Sequence, residues 1–124
     1  VNKKNPTILI VDDALFTRTM LRNILTENGF KAVVEAETGT EAIWAYERWQ
    51  PDLVIMDINM PEMDGMTAIG NIMNIDPEAR IIICSALGEP HLMKEALEVG
   101  VIEFIMKPFQ PEKVIEAIDK ALNI

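Results

Sequence analysis

Five short apolar runs alternate along this chain with segments whose apolar residues recur every three or four positions, and few folds tolerate that alternation. The runs are TILIV (Thr7–Val11), AVVEA (Ala32–Ala36), LVIM (Leu53–Met56), IIIC (Ile81–Cys84) and EFIM (Glu103–Met106). Their length and β-branched content suit strands, and the near-continuous ones suit parallel strands covered on both faces. Strands in strict alternation with helices predict an α/β fold, a doubly wound five-stranded parallel sheet flanked by five helices.

The intervening segments carry helix signals. Phe16, Met20, Leu21, Ile24 and Leu25 repeat at helical steps within Ala14–Asn28, and Gly29 suits a helix end because glycine enters the left-handed region without steric penalty. Thr38 and Glu41 match a capping box opening a helix that runs to about Trp49. Asp64 can cap a helix whose inward stripe is Met66, Ile69, Ile72 and Met73. A fourth helix is expected from Glu89 to Val99, with Leu92, Ala96 and Val99 in line and Met93 and Leu97 beside them. Pro111 suits the first turn of a fifth, with Ile115, Ile118 and Leu122 inward.

A chain of 124 residues is expected to be one domain, spanning 1–124. No apolar run approaches the roughly 18 residues of a membrane span, and Ile8–Val11 is too short for a signal-peptide core. Cys84 stands alone, so no disulfide framework or cysteine zinc site is expected, and within RIIICSA it reads as a small buried hydrophobe. A cytoplasmic location, no membrane association and a monomeric state are the expectations. The net charge of −9 argues against direct nucleic-acid binding through a broad basic surface.

Polar residues gather where the apolar runs stop. Asp12 and Asp13 follow the first, Asp57 the third, Ser85 the fourth and Lys107 the fifth. In open parallel sheets, ligand sites form outside the carboxyl ends of the strands, so these groups should converge at one edge. Three carboxylates together repel each other. A hard divalent cation resolves the repulsion, and oxygen-only ligands select Mg²⁺ or a close relative over zinc. Mg²⁺ pairs naturally with phosphate, for which Lys107 supplies a cation and Ser85 a hydroxyl donor. Asp57 is then a candidate nucleophile, because a carboxylate attacking phosphorus yields an acyl phosphate. Taken singly, each signal has a plain alternative: Asp12-Asp13 as a helix cap, Ser85 as a turn residue, Lys107 as a surface lysine.

With Asp12-Asp13 after ILIV, MDINMPEMDG around Asp57, CSA ending in Ser85-Ala86, and FIMKPF containing Lys107-Pro108, the chain resembles the receiver domain of bacterial two-component response regulators over essentially its whole length. It looks most like the stand-alone, CheY-like chemotaxis regulators. The resemblance implies the strand order 2-1-3-4-5. It implies that Asp57 accepts a phosphoryl group from the phosphohistidine of a histidine kinase. Asp13 and Asp57 would ligate Mg²⁺, with Asp12 acting largely through water and the Asn59 carbonyl adding a ligand. Lys107 and Ser85 would hold the phosphoryl oxygens, and the Lys107–Pro108 bond would be cis. The output would be regulated binding, with a flagellar motor switch protein or a phosphatase as further partners, and with no chemistry done on a partner beyond self-phosphorylation and slow autodephosphorylation.

The switch is expected to use Ser85 and Phe104, the aromatic rotating inward as the hydroxyl moves toward the phosphoryl group. The alternative is a static core role for Phe104. Asn59 and Leu87 flank the line along which water attacks, and would set the phosphoryl lifetime. Other readings are a relay carrier that docks two histidine proteins through Phe16, Thr17 and Met20, a receiver excised from a longer regulator, and a magnesium-dependent phosphatase. The last would need an acid where Asn59 stands.

Overall fold

The computed structural model describes residues 5–58, 60, 63–85 and 90–123, with side chains throughout except at 90–92. The elements are β1 (Thr7–Val11), α1 (Leu15–Glu27), β2 (Ala32–Ala36), α2 (Gly39–Trp49), β3 (Leu53–Asp57), α3 (Gly65–Ile75), β4 (Ile81–Ser85), α4 (Pro90–Glu98), β5 (Glu103–Met106) and α5 (Pro111–Leu122). The strands form one sheet in the order β2-β1-β3-β4-β5, and every neighbouring pair is parallel. The expected fold class is therefore the observed one.

Side-chain alternation along the strands divides the core in two. Leu9, Val11, Val54, Met56, Ile81 and Ile83 face α2, α3 and α4, meeting Ala45, Ile69, Ile72 and Ala96. Ile8, Ile10, Leu53, Ile55, Ile82 and Cys84 face the opposite way, toward Leu21, Leu25, Val114 and Ile118 of α1 and α5. Right-handed crossovers account for this partition. The chain moves to one side from β1 to β2 and to the other side for every later crossover, so α1 lands on the face opposite α2, α3 and α4. The reversal falls between β1 and β3, and there the helices that follow the two strands leave the sheet on opposite faces and open a crevice.

Local signals explain the element ends. Thr38 Oγ1 accepts the Glu41 N–H at 3.0 Å, one half of the expected capping box. The Glu41 carboxylate accepts from the Glu37 N–H at 3.1 Å rather than from Thr38, so the reciprocal half is displaced by one residue. Asp64 Oδ1 accepts from the Thr67 N–H at 2.8 Å and starts α3. Gly29 takes φ 90° just beyond α1.

The expected stripes need three corrections. Phe16 is 75% exposed and contributes nothing to the core, because it lies in the first turn of α1, at the rim of the sheet. In α4 only Ala96 is buried among the described side chains, while Met93 and Leu97, and Val99 just beyond the helix, are exposed: the helix meets the core beside Ile81, Ile83 and Val101 through a small residue. In α5 the buried set is Val114, Ala117, Ile118, Ala121 and Leu122, with Ile115 only partly buried, a wider stripe than the one expected. Among the described residues no helix is long and apolar enough to cross a membrane.

Candidate functional site

Each site residue stands where an apolar strand runs out at the carboxyl edge of the sheet. Asp12 follows β1, Asp57 and Ser85 are the last residues of β3 and β4, and Lys107 follows β5. The register sets Asp57 opposite Cys84, with Ser85 one step beyond and opposite Met106. The Lys107 N–H donates to the Ser85 carbonyl at 2.8 Å and extends the β4–β5 ladder to the lysine. The crevice at the reversal point between β1 and β3 thus receives two acids directly, with the lysine arriving from beyond β4.

Asp12 and Asp57 are buried and Asp13 is exposed, and carboxylate oxygens of the three lie within 4.8 Å of one another. Such crowding is unfavourable without compensation. Part of it comes from Lys107, whose Nζ donates to Asp12 Oδ2 at 3.1 Å and stands 3.6 Å from Asp57 Oδ1. Burial works against the Lys107 ammonium. The hydrogen bond to Asp12 and the charges of Asp57 and Asp12 outweigh it, so the lysine pKa is held above its ordinary value. Asp12 is oriented further by the Ala14 N–H, which donates to Oδ1 at 2.9 Å. One lysine cannot neutralise three acids, and this all-oxygen donor set is suited to a hard cation. The cluster can hold a metal ion, with the exposed Asp13 on the solvent side.

Gly65 fixes how closely α3 approaches this edge. Its N–H donates to the Ile58 carbonyl at 3.1 Å, and a Cβ there would lie 2.4 Å from the Asp57 carbonyl oxygen. Its role is therefore close approach more than turn formation. Ser85 is buried at the end of β4. Phe104 is half-buried and packs against the core beneath α2, α3 and α4. Cys84 is buried as expected, and burial pushes its thiol pKa up. The Lys107–Pro108 peptide is cis, as the resemblance implied. Asn59 and Leu87 lie outside the described residues.

One group at this edge was not singled out in the sequence. Arg18 of α1 is 7% exposed, and its Nη1 donates to the Asp12 carbonyl at 2.8 Å. Its Nε donates to Glu35 Oε1 at 2.9 Å, and Arg22 Nε donates to the other Glu35 oxygen at 2.6 Å. The legible signal was a carboxylate, Glu35, inside an apolar strand, together with arginines one helical turn apart.

A buried aspartate at a strand end, two acids and a lysine around it, and a 2-1-3-4-5 parallel sheet have the form of a receiver domain. The chain belongs to the response regulator receiver family: residues 8–119 match the profile of the response regulator receiver domain. Within that family several of its relatives are chemotaxis proteins. It is 54% identical over 116 residues to chemotaxis protein CheY of Bacillus subtilis, covering 94% of this chain and 97% of that protein. With CheY of Thermotoga maritima it shares 51% identity over 113 residues, 91% of this chain and 94% of the other. Its fold superposes with TM-score 0.88 on a chain of the CheX-CheY-BeF3-Mg²⁺ complex from Borrelia burgdorferi, at 42% identity, covering 91% of this chain and 86% of that one. The chain is a CheY-like chemotaxis response regulator, a signalling protein rather than a turnover enzyme.

Proposed function

We propose that Asp57 is the phosphorylated residue and that phosphorylation, supported by Mg²⁺ at Asp12, Asp13 and Asp57, switches the binding of protein partners in chemotaxis. The observation that carries this reading is the convergence of the three carboxylates and Lys107 at the reversal point of the sheet.

An Asp57 carboxylate oxygen attacks the phosphorus of a phosphohistidine on a histidine kinase. The P–N bond breaks, the imidazole leaves with a proton, and an acyl phosphate forms. Bound Mg²⁺ supplies positive charge against the acids and the incoming phosphoryl oxygens. The chain's own residues position the rest. Burial on the strand side holds the Asp57 carboxylate facing the crevice. Lys107 exchanges its contact with Asp57 for a phosphoryl oxygen while keeping its hydrogen bond to Asp12. Ser85 offers its hydroxyl to another phosphoryl oxygen, and Asn59 would add its carbonyl to the groups that hold the metal. The same residues serve small phosphodonors and slow hydrolysis.

The readout is the surface of α4, β5 and α5, with Phe104 beneath it. A flagellar motor switch protein is the proposed output partner, and a phosphatase the proposed terminator. The Borrelia relative was crystallised as a complex with CheX, BeF3 and Mg²⁺, which supports a metal-dependent, partner-binding state for this chain.

The test is intact mass after incubation with acetyl phosphate and Mg²⁺. The wild type gains one phosphoryl group and Asp57→Asn gains none. An Asp57→Asn protein that acquires the same mass moves the site elsewhere.

A further inference from the structure

We propose that Arg18 is a positioning residue for the metal-binding turn, acting through the Asp12–Asp13 peptide. The inference rests on the reading above, in which Asp12, Asp13 and Asp57 hold Mg²⁺.

The geometry links the arginine to two of the three acids at once. The Asp12 carbonyl that accepts from Arg18 Nη1 belongs to the peptide joining Asp12 to Asp13. Because a peptide is planar, fixing its carbonyl fixes the direction in which the Asp13 Cα leaves. The Asp12 side chain has its own restraints in the Ala14 N–H and Lys107. Asp13 is exposed, so the placement of its carboxylate depends on the backbone beneath it.

Arg18 can serve as a fixed point because it is itself held. Glu35 of β2 accepts from its Nε, and Glu37 Oε1 stands 3.8 Å from its Nη2. Arg22 holds the other oxygen of Glu35 and also donates to the Val33 carbonyl at 3.2 Å. The guanidinium is thus braced between α1 and β2 and reaches the end of β1.

Charge alone would have the opposite effect. A buried cation beside a metal site repels the metal, but Glu35 and Glu37 balance Arg18 and Arg22. Geometry is what remains, and it gives the two effects opposite signs: losing a repulsive charge would tighten Mg²⁺, whereas losing the brace weakens it. A purely structural tie between α1 and β2 would change stability and leave Mg²⁺ affinity alone.

The experiment is calorimetric titration of the chain with Mg²⁺, paired with thermal melts in EDTA, for wild type, Arg18→Lys, Arg18→Met and Arg22→Met. Lysine keeps the charge but not the forked donors. Both Arg18 variants are expected to bind Mg²⁺ roughly tenfold more weakly, at the low end of what loss of a supporting contact behind a metal ligand produces. Arg22→Met, which touches Glu35 but not Asp12, is expected to melt lower in EDTA and to bind Mg²⁺ as the wild type does. If Arg18→Met does not fold, Arg18→Lys decides. Wild-type affinity in Arg18→Lys overturns the proposal, as does tighter binding by Arg18→Met or an equal loss in Arg22→Met. A wild type that takes up no Mg²⁺ removes the metal reading beneath it, an outcome distinct from the others.

Discussion

Asp57 ends a buried strand, and the price of leaving a carboxylate there is met by what surrounds it: Lys107 at 3.6 Å, and neighbouring acids that a cation can bridge. Gly65 is the least replaceable neighbour. An added methyl group would meet the Asp57 carbonyl oxygen at 2.4 Å, and backbone cannot swing aside as a side-chain tip can. Gly65→Ala is expected to destabilise the fold by about 1–3 kcal/mol, the usual range for overpacking, and to slow phosphorylation by displacing Asp57. Denaturant midpoints and the rate of mass gain from acetyl phosphate measure both effects, and normal values of both would remove Gly65 from this role. Glu35 supports a pH prediction. Burial raises its pKa, but hydrogen bonds from Arg22 and Arg18, and their charges, bring the net value below the usual 4.5. Its folded pKa lies under its unfolded one, so its stabilisation is complete above about pH 4.5 and is lost as pH falls through the folded value. The difference in melting temperature between wild type and Glu35→Gln should therefore shrink on acidification from neutral pH. A constant gap across the acid range contradicts this assignment.

At the scale of elements, two helices on the same face of the sheet are seated differently. Among the described side chains, α3 presents Gly65, Ala68, Ile69 and Ile72 to the core, whereas α4 presents Ala96 and leaves Met93 and Leu97 in solvent. Where Met93 and Leu97 stand in solvent, the helix has room to shift in response to an event at the strand ends. Phe104 lies on β5 beside it, packed against the same core cluster. Phe104→Ala is expected to leave Asp57 phosphorylation intact while weakening the phosphorylation-dependent binding of a motor-switch peptide. The loss in stability should be smaller than the roughly 3–5 kcal/mol of a fully buried phenylalanine. Unchanged phosphorylation-dependent binding would make the ring a static packing residue.

The whole molecule is a two-faced sheet whose functional edge carries more negative charge than its own cations balance. The fold holds that charge together against repulsion, so a cation bound there is expected to be felt globally. A ligand bound only by the native state adds RT ln(1 + [L]/Kd), about 2.7 kcal/mol at a hundredfold excess over Kd. Millimolar-range Mg²⁺ is expected to raise the melting temperature, EDTA to reverse the rise, and Asp13→Ala to abolish most of it. A wild-type melting temperature indifferent to Mg²⁺ would contradict the metal assignment.

The sequence by itself determined the layer architecture, because periodicities of two and of about 3.6 residues are local properties that tertiary packing had only to accept. It also determined which polar groups meet at the strand ends: Asp12, Asp13, Asp57, Ser85 and Lys107 each end or follow an apolar run, and parallel strands carry all such ends to one edge. Tertiary structure alone decided which apolar residues count as core. Phe16 and Leu97 obey the helical period, yet stand in solvent because burial depends on whether another element lies over that part of the helix. It alone decided that Gly65 is needed for close approach to Asp57, since the contact joins a helix start to a strand end through space. It also brought Arg18 under Asp12. Helix spacing marks Arg18 only as one polar residue among several on α1. Its burial follows from the pairing of β1 with β2, which places Glu35 beside Ile10 and draws the guanidinium inward to a carboxylate and a carbonyl that lie far apart along the chain.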